Sequence, residues 1–160
     1  MERRINVRGI VIDENGYVFA VKHRDHATGK ESAFWATPGG GLDIGESLYD
    51  GLTREFTEGV GINPTIGQLL FVHQFTAYHR NGSKSEKLEF FFHITNTANF
   101  KKMIDLSATS HGYELTQAAF IDPHSNDLLP AFLQTTDIQH HINTSQPVLF
   151  VNNLNAPYRR

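Results

Sequence analysis

Gly39 to Ile62 constrains this chain more than any other stretch. Three consecutive glycines, Gly39, Gly40 and Gly41, follow Thr37-Pro38. They exclude a regular helix or a central strand there, because proline lacks a backbone donor and glycine weakens both elements. A few residues later the pattern changes. Ser47 is a good helix N-cap, and Asp50 follows where a helix start favours negative charge. Leu48, Leu52, Phe56 and Val60 recur at helical spacing as one apolar stripe, and Gly61 and Pro64 are stop signals. The spacing predicts a helix over residues 48–60, fed directly by the glycine turn.

The polar residues of this segment carry the chemistry. Glu46 precedes the helix, and Arg54, Glu55 and Glu58 lie on it. At about 100° per residue, Glu55 and Glu58 share a face away from much of the apolar stripe. Two carboxylates and a bare glycine carbonyl are hard oxygen donors, of the kind Mg²⁺ or Mn²⁺ accepts. Such ions neutralise a diphosphate and activate water for attack on phosphorus. Arg54 is placed to pair with Glu46 and hold loop against helix. Taken singly, the glutamates read as a solvated helix face and the glycines as a surface turn. Their common register argues for a site.

That register, Gly40, Glu46, Arg54, Glu55, Phe56, Glu58, Gly61 and Ile62, resembles the Nudix box, and Trp35 to Gly39 resembles the family's usual lead-in. The resemblance is specific over residues 7–62, topological over about 67–133, and absent from the tail. It implies an α/β fold, an α/β/α sandwich with a mixed β-sheet and a loop-helix-loop catalytic motif, expected as one domain over residues 1–160. It also implies hydrolysis of a pyrophosphate bond in a nucleoside diphosphate linked to another group, with Mg²⁺ or alternatively Mn²⁺. Carried over by residue, Gly39 offers its carbonyl to the metal and Glu55 and Glu58 are carboxylate ligands. Glu46 and Arg54 brace the motif, and Glu55 is alternatively the group that deprotonates the attacking water. Arg24 and Lys22 are the implied substrate-side cations, weighed against plain surface charges on a strand end.

One position departs from the pattern. Gly59 stands where the family carries the second glutamate of a Glu-Glu pair, usually a metal ligand. Its loss motivates an alternative: a catalytically weak Nudix-fold module that binds a nucleotide or an ADP-ribose-like ligand. Gly51 is a milder departure, since each helix glycine costs about 0.5–1 kcal/mol relative to alanine. A compensating carboxylate is expected from outside the box. The candidates are Glu114, six residues before Phe120, and Glu89, which interrupts an apolar strand. A carboxylate there is costly unless paired, exposed or bound to metal.

Elsewhere, residues 6–12 and 17–22 read as a hairpin around Asn15-Gly16, and 65–77 with 87–95 as strands around Asn81-Gly82. Residues 23–33 read as a surface loop, 96–111 as a loop with a short helical piece, and 113–121 as a strand. Residues 128–134 read as a helix and 148–151 as a short strand. A length of 160 residues suffices for one core. The formal net charge of -3 argues against nucleic acid or an anionic membrane as partner. No stretch approaches the ~20 apolar residues of a membrane span. The absence of cysteine excludes disulfides and thiol catalysis and is compatible with the cytoplasm. Neither His23 with His26 nor His140 with His141 has a convincing zinc spacing. The expected partner is a small nucleotide-derived substrate. A homodimer fits the family's habits, although one chain reveals no interface.

Overall fold

A computed structural model describes residues 1–102, 104–109 and 114–155. Two mixed sheets share the core. The first contains β1 (Glu2–Ile10), β4 (Gly39–Gly41), β5 (Ile66–Tyr78), β6 (Lys84–Ile94) and β9 (Leu149–Asn153), in the order β4-β1-β6-β5-β9. The second contains β2 (Val18–His23), β3 (Trp35–Ala36), β7 (Leu115–Ile121) and β8 (Leu128–Leu129), in the order β7-β2-β3-β8. In the first sheet β1 runs parallel to β6, and β5 pairs antiparallel with β6 across the turn at Gly82.

The helix α1 (Leu48–Val60) has the expected bounds. Ser47 Oγ accepts from Asp50 N at 3.0 Å, and Gly61 closes the helix in the left-handed conformation at φ 73°. Leu52 and Phe56 are fully buried in one core with Val7, Phe92, Phe19 and Val21, so α1 packs where both sheets contribute. Gly51 also has a reason in this packing. A Cβ there would stand 2.5 Å from Leu42 Cδ1, so the low helix propensity of glycine is exchanged for a close loop-helix contact.

The predicted first hairpin is half right. Asn15-Gly16 does turn, with Asp13 Oδ1 accepting from the amides of Asn15 and Tyr17 and Gly16 at φ 79°. Beyond the bridge Ile12↔Val18, however, β1 and β2 enter different sheets. Both strands send apolar side chains into both cores. Ile10, Val18 and Ala20 fill one core, and Val7, Phe19 and Val21 fill the other. Strands buried on both sides show no alternation that reveals their partners.

The helix expected over residues 128–134 is instead β8, parallel to β3, then a cis Leu129–Pro130 bond and a 3₁₀ turn, Ala131–Gln134. Pro130 removes the amide that a helix through this stretch would need. Short helices α2 (Thr97–Phe100) and α3 (Ile138–Asn143) and a 3₁₀ turn, Leu106–Ala108, are the other helical elements; a short helical piece was expected only within residues 96–111. Tyr113 and the end of the 96–111 loop lie outside the described residues. Among the described residues no helix is long and apolar enough to cross a membrane.

Candidate active site

The glycine turn is bonded to β1 along its length. Gly39 opposes Arg8 and Gly40 opposes Val7; Gly9 N donates to the Pro38 carbonyl at 3.0 Å, and Leu42 N to the Ile5 carbonyl at 2.9 Å. Gly39 adopts φ 143°, and a Cβ there would stand 2.1 Å from the Val7 carbonyl oxygen. Only glycine can lie this flat on β1.

Arg54 is the hub of the loop-helix motif. Its Nε donates to Glu46 Oε2 at 2.8 Å, while Nη2 reaches Glu46 Oε1 at 3.0 Å and the Gly41 carbonyl at 2.9 Å. Nη1 donates to Glu55 Oε1 at 3.0 Å and Glu58 Oε2 at 3.3 Å. The hydrogen bonds from Arg54, joined by the Asp43 amide, bring the Glu46 carboxyl from its ordinary 4.5 down to about 2. The same bond to Glu46 raises the Arg54 guanidinium above its usual value. Glu55 moves the other way: burial pushes its carboxyl up, against the pull of Arg54.

Glu55 faces a cavity of about 50 Å³, also lined by Gly39, Pro38, Val21, His23, Gly59, Glu114 and Leu115. Of the two carboxylates considered outside the box, Glu114 therefore reaches this cavity, and its backbone carbonyl accepts from Arg24 N at 2.8 Å. Glu89 does not line it. It is fully buried, and its Oε2 accepts from Arg8 Nε at 2.9 Å and Asn6 Nδ2 at 3.1 Å. Strand alternation turns it away from the face on which Val7 and Phe90 meet α1. Gly59 borders the cavity with space beside it, since a Cβ there would meet only Leu115 Cδ1, at 3.9 Å.

Arg24 lines a neighbouring basin of about 590 Å³ with Lys30 and Arg80, and His23 borders both spaces. Lys22 turns elsewhere, with Nζ 3.6 Å from Glu31 and 5.1 Å from the Trp35 ring centroid. Sequence reasoning missed His23 as a lining residue, having weighed it only as a zinc ligand. It also missed Arg8 as the partner of Glu89, although a charge in a buried strand is the signal that drew attention to Glu89 itself.

The donor set suits a hard divalent cation. Arg54 is one cation within 3.5 Å of four carboxylates, those of Asp43, Glu46, Glu55 and Glu58. That excess of negative charge on oxygen donors is what Mg²⁺ or Mn²⁺ offsets. Among the described residues no three acidic or histidine side chains converge as a ready-made ligand cluster, so backbone carbonyl and water oxygens are needed to complete a shell.

Known proteins resemble this chain in part of its sequence and in its fold. A MutT-like protein of Streptomyces ambofaciens is 32% identical over 72 residues, which is 45% of this chain and 43% of that protein. The chain thus spans less than half the length of that curated relative. The solved MutT protein of Methanosarcina mazei Go1 is 18% identical with a TM-score of 0.59, over 91% of this chain and 97% of that one. An ADP-ribose pyrophosphatase from Streptococcus suis 89-1591 is 16% identical with a TM-score of 0.56, over 92% and 98%. At such identities the two structures speak to the fold. The NUDIX domain family itself matches residues 2–136, and with that span this chain belongs to the Nudix hydrolase family.

Proposed function

We propose that the chain is a divalent-metal-dependent pyrophosphohydrolase acting on a nucleoside diphosphate linked to another group. One observation carries this reading: Arg54 gathers Glu55 and Glu58 on the helix that leaves the glycine turn, with Glu55 and Gly39 facing one cavity. In this reading the Gly39 carbonyl and the carboxylates of Glu55 and Glu58 hold Mg²⁺, or Mn²⁺ as the alternative. Glu114 supplies from β7's leading end the charge that Gly59 lacks. When bound, the ion would neutralise the diphosphate and acidify a water, so that the water gives up a proton and attacks phosphorus as hydroxide. Alternatively, Glu55 serves not as a ligand but as the base that receives the proton of that water. Arg24, with Lys30 and Arg80 in the adjoining basin, faces the substrate's remaining part, whereas Lys22 steadies the loop through Glu31 and Trp35. The protein acts as one domain on a small molecule, in the cytoplasm.

A second reading is motivated by Gly59: a weakly catalytic module that binds a nucleotide or ADP-ribose-like ligand. The two part on product release from nucleoside diphosphate derivatives, ADP-ribose and UDP-sugars included, assayed with Mg²⁺, Mn²⁺ and EDTA. The hydrolase reading expects turnover of at least one compound that EDTA abolishes. Silence across the panel, with thermal stabilisation by one compound, would replace it with the binding module.

A further inference from the structure

Arg8 and Glu89 form an ion pair between the neighbouring parallel strands β1 and β6, with side chains 10% and 0% exposed. Arg8 uses its fork twice. Nε donates to Glu89 Oε2 at 2.9 Å, and Nη1 donates to the Thr37 carbonyl at 3.0 Å. Thr37 lies two residues before Gly39, and Gly39 itself lies on the backbone of Val7 and Arg8. Behind the pair, His73 Nδ1 stands 3.6 Å from Glu89 Oε1, and Asn153 Nδ2 is 3.1 Å from His73 Nε2. A run of polar contacts therefore links the last strand, β9, to the carbonyl that leads into the glycine turn.

Stability is a poor reason for such a pair. Desolvating two charges consumes most of their mutual attraction, and apolar residues of similar volume often do as well or better. An apolar pair would not, however, hold the Thr37 carbonyl. We propose that Arg8, oriented by Glu89, is a positioning residue that fixes residues 37–39 so that the Gly39 carbonyl points to the metal position. This rests on the pyrophosphohydrolase reading given above. The planar guanidinium meets two acceptors in fixed directions, which the compact ammonium of lysine does not reproduce. The role also explains why a charge is tolerated in the buried part of each of two neighbouring strands.

Two variants test it. Arg8→Met with Glu89→Gln removes both charges together, so neither is left buried alone, and keeps an acceptor for Asn6. Arg8→Lys keeps the charge and loses the fork. In both, the thermal midpoint is expected to stay within a few degrees of wild type. Amide exchange at Gly39 to Gly41 in the metal-free protein should quicken about tenfold or more. Mn²⁺ affinity and kcat should each fall about tenfold or more with KM little changed, as misplacement by an ångström costs up to ~100-fold. Wild-type exchange, Mn²⁺ affinity and kcat in folded variants would overturn the proposal. If the double variant does not fold, Arg8→Lys decides alone. A wild-type protein that neither binds Mn²⁺ nor turns over any panel compound would sink the hydrolase reading instead, and unchanged exchange would still count against Arg8.

Discussion

The carboxylate of Glu55 rests on the Cα of Gly40, so close that a methyl group there would stand 2.5 Å from Oε2 and 2.6 Å from Cδ. The box glycine and the box glutamate, fifteen positions apart, are thus one packing contact. Gly40 is the absence that lets Glu55 reach its place beside the cavity.

Gly40→Ala is therefore expected to displace Glu55 and lower metal-dependent turnover by about tenfold or more, with the fold retained. Gly41→Ala is the control. Its Cβ would first meet Arg4 Nη2, the flexible end of a long side chain, at 3.1 Å. Steady-state rates of the two variants at saturating Mn²⁺ should differ sharply. Equal rates would mean that the Gly40–Glu55 contact is incidental.

Gly59 has open space around it, so Gly59→Ala should fold and gain at most about 0.5–1 kcal/mol by replacing a glycine in the last helical turn. Urea denaturation in EDTA reads this directly. Gly59→Glu should in addition tighten Mn²⁺ binding. Glu114→Gln should weaken Mn²⁺ binding in the wild-type background and matter less once residue 59 carries a carboxylate. Additive effects of the two changes would show that Glu114 does not stand in for the missing group.

Arg54→Lys tests the hub. Lysine keeps the charge but cannot serve Glu46 with two nitrogens while also reaching Gly41, Glu55 and Glu58. The loss of charge-assisted hydrogen bonds is expected to cost about 1–3 kcal/mol in EDTA. It should also lower turnover. Stability within ~0.3 kcal/mol of wild type would show that the brace is dispensable.

The acid limb of stability follows from Glu46. Its carboxyl falls from 4.5 to about 2 in the folded protein, so the unfolded chain holds the extra proton between those values. Its contribution is full above about pH 4.5 and fades as pH drops towards 2. In metal-free protein, the difference in thermal midpoint between wild type and Glu46→Gln should be present at pH 6 and shrink by pH 3. A gap that is constant with pH would mean that the charge of Glu46 contributes nothing through Arg54.

The sequence by itself determined the parts whose causes are local. Helix 48–60 was readable to its ends, because Ser47, the apolar stripe and Gly61 all act within a few residues of where they stand. The pairing of β5 with β6 was readable for a similar reason: a turn at Asn81-Gly82 joins two apolar runs. The register of Glu46, Arg54, Glu55 and Glu58 was equally legible, since one helix and its preceding loop hold them all.

Tertiary structure alone decided the rest. Strands β1 and β2 part into separate sheets, and since each sends apolar side chains into both cores, their local pattern carries no record of their partners. Gly51 read as a defect until Leu42 was seen against it. Glu89 and Glu114 looked alike as carboxylates in or beside strands. One lies buried against Arg8, 81 residues away in the chain, and the other meets Glu55 and Gly39 at a cavity built from β2, β4, α1 and β7. Helical periodicity and capping act over three or four residues, whereas the partner of a buried charge is chosen by how whole sheets stack. No local pattern contains that choice.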